Sequence, residues 1–508
     1  MSTLVKSTFL VLFSEIIYNL SGYIIQAVMG RVLGPADYGR FAIIITLTTM
    51  TIVLVGQSVP TAMSKYLSEI FEKEKGLIPV IKKQTIRIQT IIVGAVTALF
   101  FLVSPLIARA LGDPSLTNLF RLSSLIIPAF GAASFYFYYY TGLHQFKIQA
   151  FLKANRGLLR VIFIIGLAIM LKSHGLAIQG AILGYVVAPS LLFLLALGID
   201  KFKVSKELRL AAVETHGEDA MNRVSTDNTR PSFDWRKLAT FAWPVTIFLI
   251  AYQFLNTIDL YLVKGIMHSD IQTGIYNAAY TVGTIPYNLF YALTIILLPT
   301  ISKSTSTNNH AETKKIVGQS LRFLAMFLLP ICLLMAYFSL PIINIFYSHR
   351  FAAAAPVMSI YVIAEGFLTV FYILTFILNG AGKVKIPMYV ALVGLFLNTV
   401  LTYFLIKGYG LIGAASGTAF MSLAVMLFGL FYTHREFGYL FPLKSFFKII
   451  GAAFLMSLAA FIFPCTSYLF LIYSAILFAL YLFLLYIFQE IKREDFSIFS
   501  KMLRRRKA

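Results

Sequence analysis

Acidic side chains are scarce in this chain: 21 Asp and Glu stand against 43 Lys and Arg in 508 residues. Cysteine is scarcer still. Cys332 and Cys465 both lie in apolar stretches, which excludes a disulfide scaffold and any Cys-based metal site. The seven His are scattered without metal-ligand spacing, so no metal and no cofactor is expected. Long polar stretches are also missing, apart from residues 200–237. A membrane glycosyltransferase or polymerase would carry a sizeable folded outer loop with acidic residues. Every predicted outer loop here is short, which argues against an enzyme. The segment Gly34-Pro35-Ala36-Asp37-Tyr38-Gly39-Arg40-Phe41 imitates a phosphate-binding loop but lacks the Lys and hydroxyl that follow the second Gly, so ATP hydrolysis is not expected.

What is abundant is hydrocarbon. Hydrophobic residues make up 59% and charged residues 13%, with a mean hydropathy of +0.81, far from a soluble composition. A spanning helix needs roughly 20 apolar residues. Fourteen such runs occur, near 8–29, 41–60, 87–108, 119–141, 158–172, 176–198, 238–263, 275–299, 319–342, 356–380, 385–406, 410–432, 446–463 and 467–488. The expected fold is all-α, a polytopic membrane protein with fourteen transmembrane helices. The net charge of +22 would suggest nucleic acid in a soluble chain, but 35 of the 43 basic residues fall on one side of alternating spans. The positive-inside rule then places both termini in the cytoplasm. The tail Arg504-Arg505-Arg506-Lys507 reads as a contact for anionic lipid head groups.

The chain repeats itself once. Gly30-Arg31-Val32-Leu33-Gly34-Pro35-Ala36-Asp37-Tyr38-Gly39-Arg40 returns in degraded form as Lys264-Gly265 through Asp270, Gly274 and Tyr276. Pro60 and Pro299, Gly142 and Gly380, and the Gly180-x-x-x-Gly184 and Gly413-x-x-x-Gly417 pairs keep nearly the same offset. This divides the chain into a first lobe of six helices (1–199), a cytoplasmic linker (200–237), a second lobe of six (238–437), and two added helices with a basic tail (438–508). The Gly-x-x-x-Gly pairs permit close helix packing.

Polar residues recur on single faces of several spans, which in lipid must meet protein or water. The first helix carries Glu15, Asn19, Gly22 and Gln26. The eighth carries Asn277, Tyr280, Thr281, Thr284, Asn288 and Tyr291, and the tenth Glu365, Thr369, Tyr372 and Asn379. A water-filled cavity between the repeats would account for them, and interhelical hydrogen bonding is the alternative. Asn277, Tyr280, Thr284 and Asn288 are therefore candidate substrate contacts. Intramembrane carboxylates are functional candidates, so Glu15, Asp259 and Glu365 are candidates for ion coupling, with Asp259 about one turn from Lys264. The aromatic run Phe135–Tyr140 reads as packing, with a sugar-stacking platform as the other option.

The turn Arg31-Val32-Leu33-Gly34 followed by Tyr38-Gly39, together with Pro60, Gly142-x-x-x-x-Lys147-Ile148 and the closing Gly-Ala-x-x-Gly elements, resembles the polysaccharide transporter (oligosaccharide flippase) family of the multidrug, oligosaccharidyl-lipid and polysaccharide exporter superfamily. The resemblance covers roughly residues 1–435. It implies two six-helix lobes around a central cavity, alternating access, and export of a polyprenyl-pyrophosphate glycan to the outer leaflet for cell-surface polysaccharide synthesis. Its partners would be the lipid-linked glycan, membrane lipids and polysaccharide polymerase or assembly proteins, not nucleic acid. A drug/cation antiporter of the same superfamily and a non-transporting membrane scaffold are the alternatives. In the export reading, Arg31 and Lys264, at matching helix ends, would hold the pyrophosphate, unless Asp37 and Asp270 pair with them.

Overall fold

The computed structural model describes residues 3–70, 77–204, 235–306, 310–383, 385–438, 443–463 and 469–491. Most of the expected linker, the basic tail and Cys465 lie outside these segments. Among the described residues the regular structure is entirely helical, in the order α1 (Thr3–Ile70), α2 (Ile78–Ala110), α3 (Thr117–Ser123), α4 (Ile126–Gly142), α5 (Phe146–Arg160), α6 (Gly166–Lys172), α7 (Ala177–Ile199), α8 (Trp235–Met267), α9 (Asp270–Gly283), α10 (Ile285–Ser306), α11 (His310–Tyr337), α12 (Ser339–Phe346), α13 (Ala354–Gly380), α14 (Lys385–Phe437), α15 (Leu443–Ile462) and α16 (Phe470–Ile487).

Ten stretches among the described residues are long and apolar enough to cross a bilayer. Two of them, in α1 and α14, each cover two of the predicted runs, because each helix breaks at one glycine. Gly34 sits at φ 75°, ψ 173° and Gly410 at φ 59°, ψ −135°, backbone that a side chain would strain. The predicted runs 238–263 and 275–299 fall on α8 and on α9–α10, parts of whose side chains lie outside the described residues. Large apolar side chains face outward in numbers that water would not tolerate, among them Phe396, Phe404, Phe420 and Phe428 along α14. Facing lipid, they carry no penalty.

The chain divides into two compact units. One holds residues up to Leu33 and Arg40–Gln253; the other holds Gly34–Gly39 and everything from Phe254 onward. Each unit uses its Gly-x-x-x-Gly pair in the same way. In the first, a Cβ on Gly180 would meet Leu167 O at 2.4 Å and one on Gly184 would meet Ile164 Cα at 2.4 Å. In the second, a Cβ on Gly413 would meet Leu405 O at 2.0 Å and one on Gly417 would meet Thr402 Oγ1 at 2.5 Å. The missing side chains let each helix lie against the one before it at backbone contact.

The aromatic run of α4 is core. Phe135, Tyr136, Phe137, Tyr139 and Tyr140 are all buried, and Tyr140 Oη donates to Ala196 O of α7 at 3.0 Å. The Lys82 ammonium stands 4.6 Å from the Tyr139 ring centre and pairs with Asp200, so α2, α4 and the turn that ends α7 share one tie.

The two added helices are fixed to α11. Met326, Leu334, Ala452, Met456, Leu477 and Tyr481 belong to one apolar cluster, and Tyr481 Oη donates to Met326 O at 2.9 Å. At its end Arg322 Nε donates to Glu490 Oε1 at 2.7 Å, with Glu490 2% exposed and bonded also by Ser445. Removing one partner of a buried pair leaves an uncompensated charge and costs about 3–5 kcal/mol. Glu490→Ala should therefore lower the melting temperature in detergent markedly, whereas the half-buried partner Lys448, whose Nζ is 4.0 Å away, should change it little when replaced by Ala.

Candidate functional site

The first unit concentrates cations on one face of one helix. Lys153, Arg156 and Arg160 step by three and four along α5, which places them on a single stripe. They do not lie in a loop. The helical path runs on without interruption from Phe146 through a π-type turn at Val161–Ile165 into α6, so the basic residues occupy the first half of a stretch that is long and apolar enough to span the membrane. In the sequence the apolar run begins only at residue 158, so the cations before it read as cytoplasmic loop charge. The structure corrects that boundary: an apolar run marks only the lipid-facing part of a helix, and the amphipathic turn before it is equally helical.

Gly157 brings this stripe against α1. A Cβ there would lie 3.3 Å from Ile17 O, Ser21 Oγ and Tyr18 Cα, so the two helices touch where the cations sit. The Arg156 guanidinium stacks on three rings, at 4.0 Å from Phe130, 4.8 Å from Tyr18 and 5.5 Å from Phe137. Arg160 lies 4.8 Å from Tyr18 and 5.7 Å from Tyr185. Cation–π contacts of this kind stabilise each charge by roughly 0.5–2 kcal/mol but neutralise none of it. Among the described residues the single acid at the stripe is Glu15, paired with Lys153. Arg156 is 9% exposed and its Nε has no hydrogen-bond partner. Three cations facing one carboxylate in a largely desolvated place form a site with excess positive charge.

The second unit holds the other two candidate carboxylates, both buried. Asp259 on α8 is 0% exposed and Glu365 on α13 is 1% exposed. Tyr276 Oη donates to Asp259 Oδ2 at 2.5 Å, Thr418 Oγ1 to the same oxygen at 3.1 Å, and Leu260 N to Oδ1 at 2.8 Å. Tyr361 Oη donates to Glu365 Oε1 at 3.1 Å, and its ring packs against Tyr276 and Tyr280. Hydroxyl donors thus link the surroundings of both acids, and among the described residues neither acid forms an ion pair.

The remaining candidates are distributed as follows. Lys264 is 2% exposed and pairs with Asp270 six residues on, the alternative weighed in the sequence. Arg31 is exposed. Asn277 is buried and donates to Tyr38 Oη at 2.9 Å; that oxygen lies 3.0 Å from Tyr347 Oη. Thr284 and Asn288 are half-buried and bond to carbonyls of their own helical path, Thr281 O and Thr284 O. In this conformation the first turns of the polar stripe on α9 serve interhelical packing, with Tyr280 half-buried against Tyr361.

Comparison with known proteins gives this geometry its context. The sequence model of the family described as "Polysaccharide biosynthesis protein" matches residues 4–305, and that of MatE matches 244–404. The chain is 23% identical over 432 residues to the uncharacterized membrane protein MJ1375 of Methanocaldococcus jannaschii, covering 84% of this chain and 97% of that one. It is 24% identical over 206 residues, 40% of this chain and 43% of the other, to the probable low-salt glycan biosynthesis flippase Agl15 of Haloferax volcanii. In fold it is similar to the lipid II flippase MurJ in an inward closed conformation, with a TM-score of 0.70, 17% identity, and coverage of 95% of this chain and 98% of that one. Matched over more than half its length, this multi-span membrane protein belongs to the family described as "Polysaccharide biosynthesis protein".

Proposed function

We propose that this protein is a flippase for a polyprenyl-pyrophosphate glycan, moving it from the inner to the outer leaflet of the cytoplasmic membrane by alternating access, with both termini cytoplasmic. The observation that carries the reading is the stripe Lys153, Arg156 and Arg160, which faces one carboxylate in the first unit. A drug/cation antiporter would hold its cationic substrate at acids deep in one lobe, whereas the stripe of the first unit presents three cations to one carboxylate. A pyrophosphate carries at least two negative charges and offers oxygens to a guanidinium fork. Kinship with Agl15, whose name assigns it to glycan biosynthesis, supports the same substrate class.

Driving force in this scheme enters through Asp259 and Glu365, whose hydroxyl-lined surroundings suit a proton or monovalent cation. Asp259→Asn and Glu365→Gln keep the shape of each site and remove its charge. Either variant should fold, bind the glycan lipid normally and lose at least about tenfold in ion-gradient-dependent translocation, a factor equal to 1.4 kcal/mol. Full transport by the double variant would remove these acids from the mechanism. The substrate assignment is tested by thermal shift of the purified protein. A polyprenyl-pyrophosphate glycan should stabilise it and a lipophilic cationic dye should not, and the reverse pattern would favour the antiporter.

A further inference from the structure

We propose that Glu15 is a resident counter-anion that masks the phosphate site of the first unit and is displaced by the incoming diphosphate, so that substrate binding exchanges one ion pair for another and frees α1 from α5. The inference rests on the flippase reading above and adds a role for this carboxylate that differs from ion coupling.

Three observations support it. First, Glu15 sits on α1 and Lys153 on α5, so their pair is a tie between two helices. Second, the pair is accessible: the side chains are 26% and 21% exposed, whereas Asp259 and Glu365 are closed off at 0% and 1%. A buried, fully hydrogen-bonded acid cannot leave its partners readily, but a partly exposed one held by a single ion pair can. Third, the compensation is incomplete. Glu15 meets Lys153 at one end of the stripe, while Arg156 is left to the faces of Tyr18, Phe130 and Phe137 and Arg160 to the Tyr18 face and a hydrogen bond with the Tyr185 side chain, with the buried Arg156 Nε unpartnered among the described residues.

The chemistry of the cations fits the exchange. An ammonium is a point charge with rotatable donors and can change partner without a fixed geometry, while the two guanidinium groups are planar forks suited to phosphate oxygens. A diphosphate laid along the stripe reaches all three cations and outcompetes a single carboxylate that reaches one. The mask leaves the empty transporter two uncompensated cations on the stripe rather than three and keeps singly charged lipid head groups from occupying its Lys153 end. Gly157 makes the device workable, because it sets α1 and α5 at backbone contact beside the pair.

The test uses purified full-length protein and inorganic pyrophosphate as the probe, with affinity measured by calorimetry. Glu15→Gln, which removes the charge but keeps the shape, should bind pyrophosphate about three- to tenfold tighter than wild type, the scale of one partly exposed competing ion pair. Glu15→Asp, one methylene shorter, should fall between them and serves if the Gln variant does not fold. The gain must vanish when Lys153→Met is added, since no masked cation then remains. Equal affinity of wild type, Glu15→Gln and Glu15→Asp would overturn the mask while leaving the anion site standing. No pyrophosphate binding by wild type or any Glu15 variant, with Arg156→Met unchanged from wild type, would overturn the mask and the phosphate reading together.

Discussion

Replacing Arg156 with Met should reduce translocation of the glycan lipid by about ten- to a hundredfold while leaving the protein folded. The estimate follows from losing charge-assisted hydrogen bonds to a phosphate, worth about 1.5–3 kcal/mol. Methionine is the informative substitution because it retains much of the apolar bulk that packs on Phe130, Tyr18 and Phe137. Arg156→Lys keeps the charge but loses the fork and should recover only part of the activity. If the guanidinium served packing alone, the Met variant would be the better tolerated of the two. The ranking of Lys above Met in a transport assay therefore separates a ligand contact from a structural one.

The second large effect is expected at Gly39 in α1 and Gly274 in α9, the repeat-related glycines. Within the second unit they lie against each other. A Cβ on Gly39 would stand 2.0 Å from Asp270 O, and one on Gly274 would stand 2.0 Å from Pro35 O. Both obstructions are backbone, so no rotamer relieves them. Gly39→Val or Gly274→Val should cost at least about 1–3 kcal/mol as an overpacked contact, seen as a lower melting temperature in detergent and a matching loss of transport. The control is Gly94, where nothing lies within 4 Å. Gly94→Ala should be neutral or slightly stabilising, since glycine in a helix costs roughly 0.5–1 kcal/mol relative to alanine.

Much of the fold was legible because the membrane imposes a coarse rule. Long apolar runs become helices, and the breaks at Gly34 and Gly410 stand where one predicted run gives way to the next, beside Arg31 and Asp37 in α1 and Lys407 in α14. The Gly-x-x-x-Gly pairs were also legible, since small residues at that spacing have one main use between helices. The site was legible only in part. Asp259 and Glu365 were found because a carboxylate in an apolar run is conspicuous. Their partners were not, as Thr418 lies 159 residues from Asp259 and the Tyr361 ring reaches the same neighbourhood from another helix. Lys264 was set beside Asp259 on helical spacing, whereas the structure pairs it with Asp270 across the turn between α8 and α9. The α5 stripe was overlooked because a rule about topology had already accounted for its charges. Its signal was present, in the three- and four-residue steps from Lys153 to Arg156 to Arg160 interleaved with Leu152, Ala154, Leu158 and Leu159.

Reconstitution into liposomes tests the central claim most directly. A polyprenyl-pyrophosphate glycan is placed in both leaflets, and a membrane-impermeant enzyme that attacks the glycan is added from outside. Wild-type protein should expose the inner-leaflet pool under an ion gradient, Arg156→Met should expose little beyond protein-free vesicles, and a lipophilic cationic dye should not be moved by either. Translocation of the dye by wild type, with the glycan lipid left in the inner leaflet, would contradict the account.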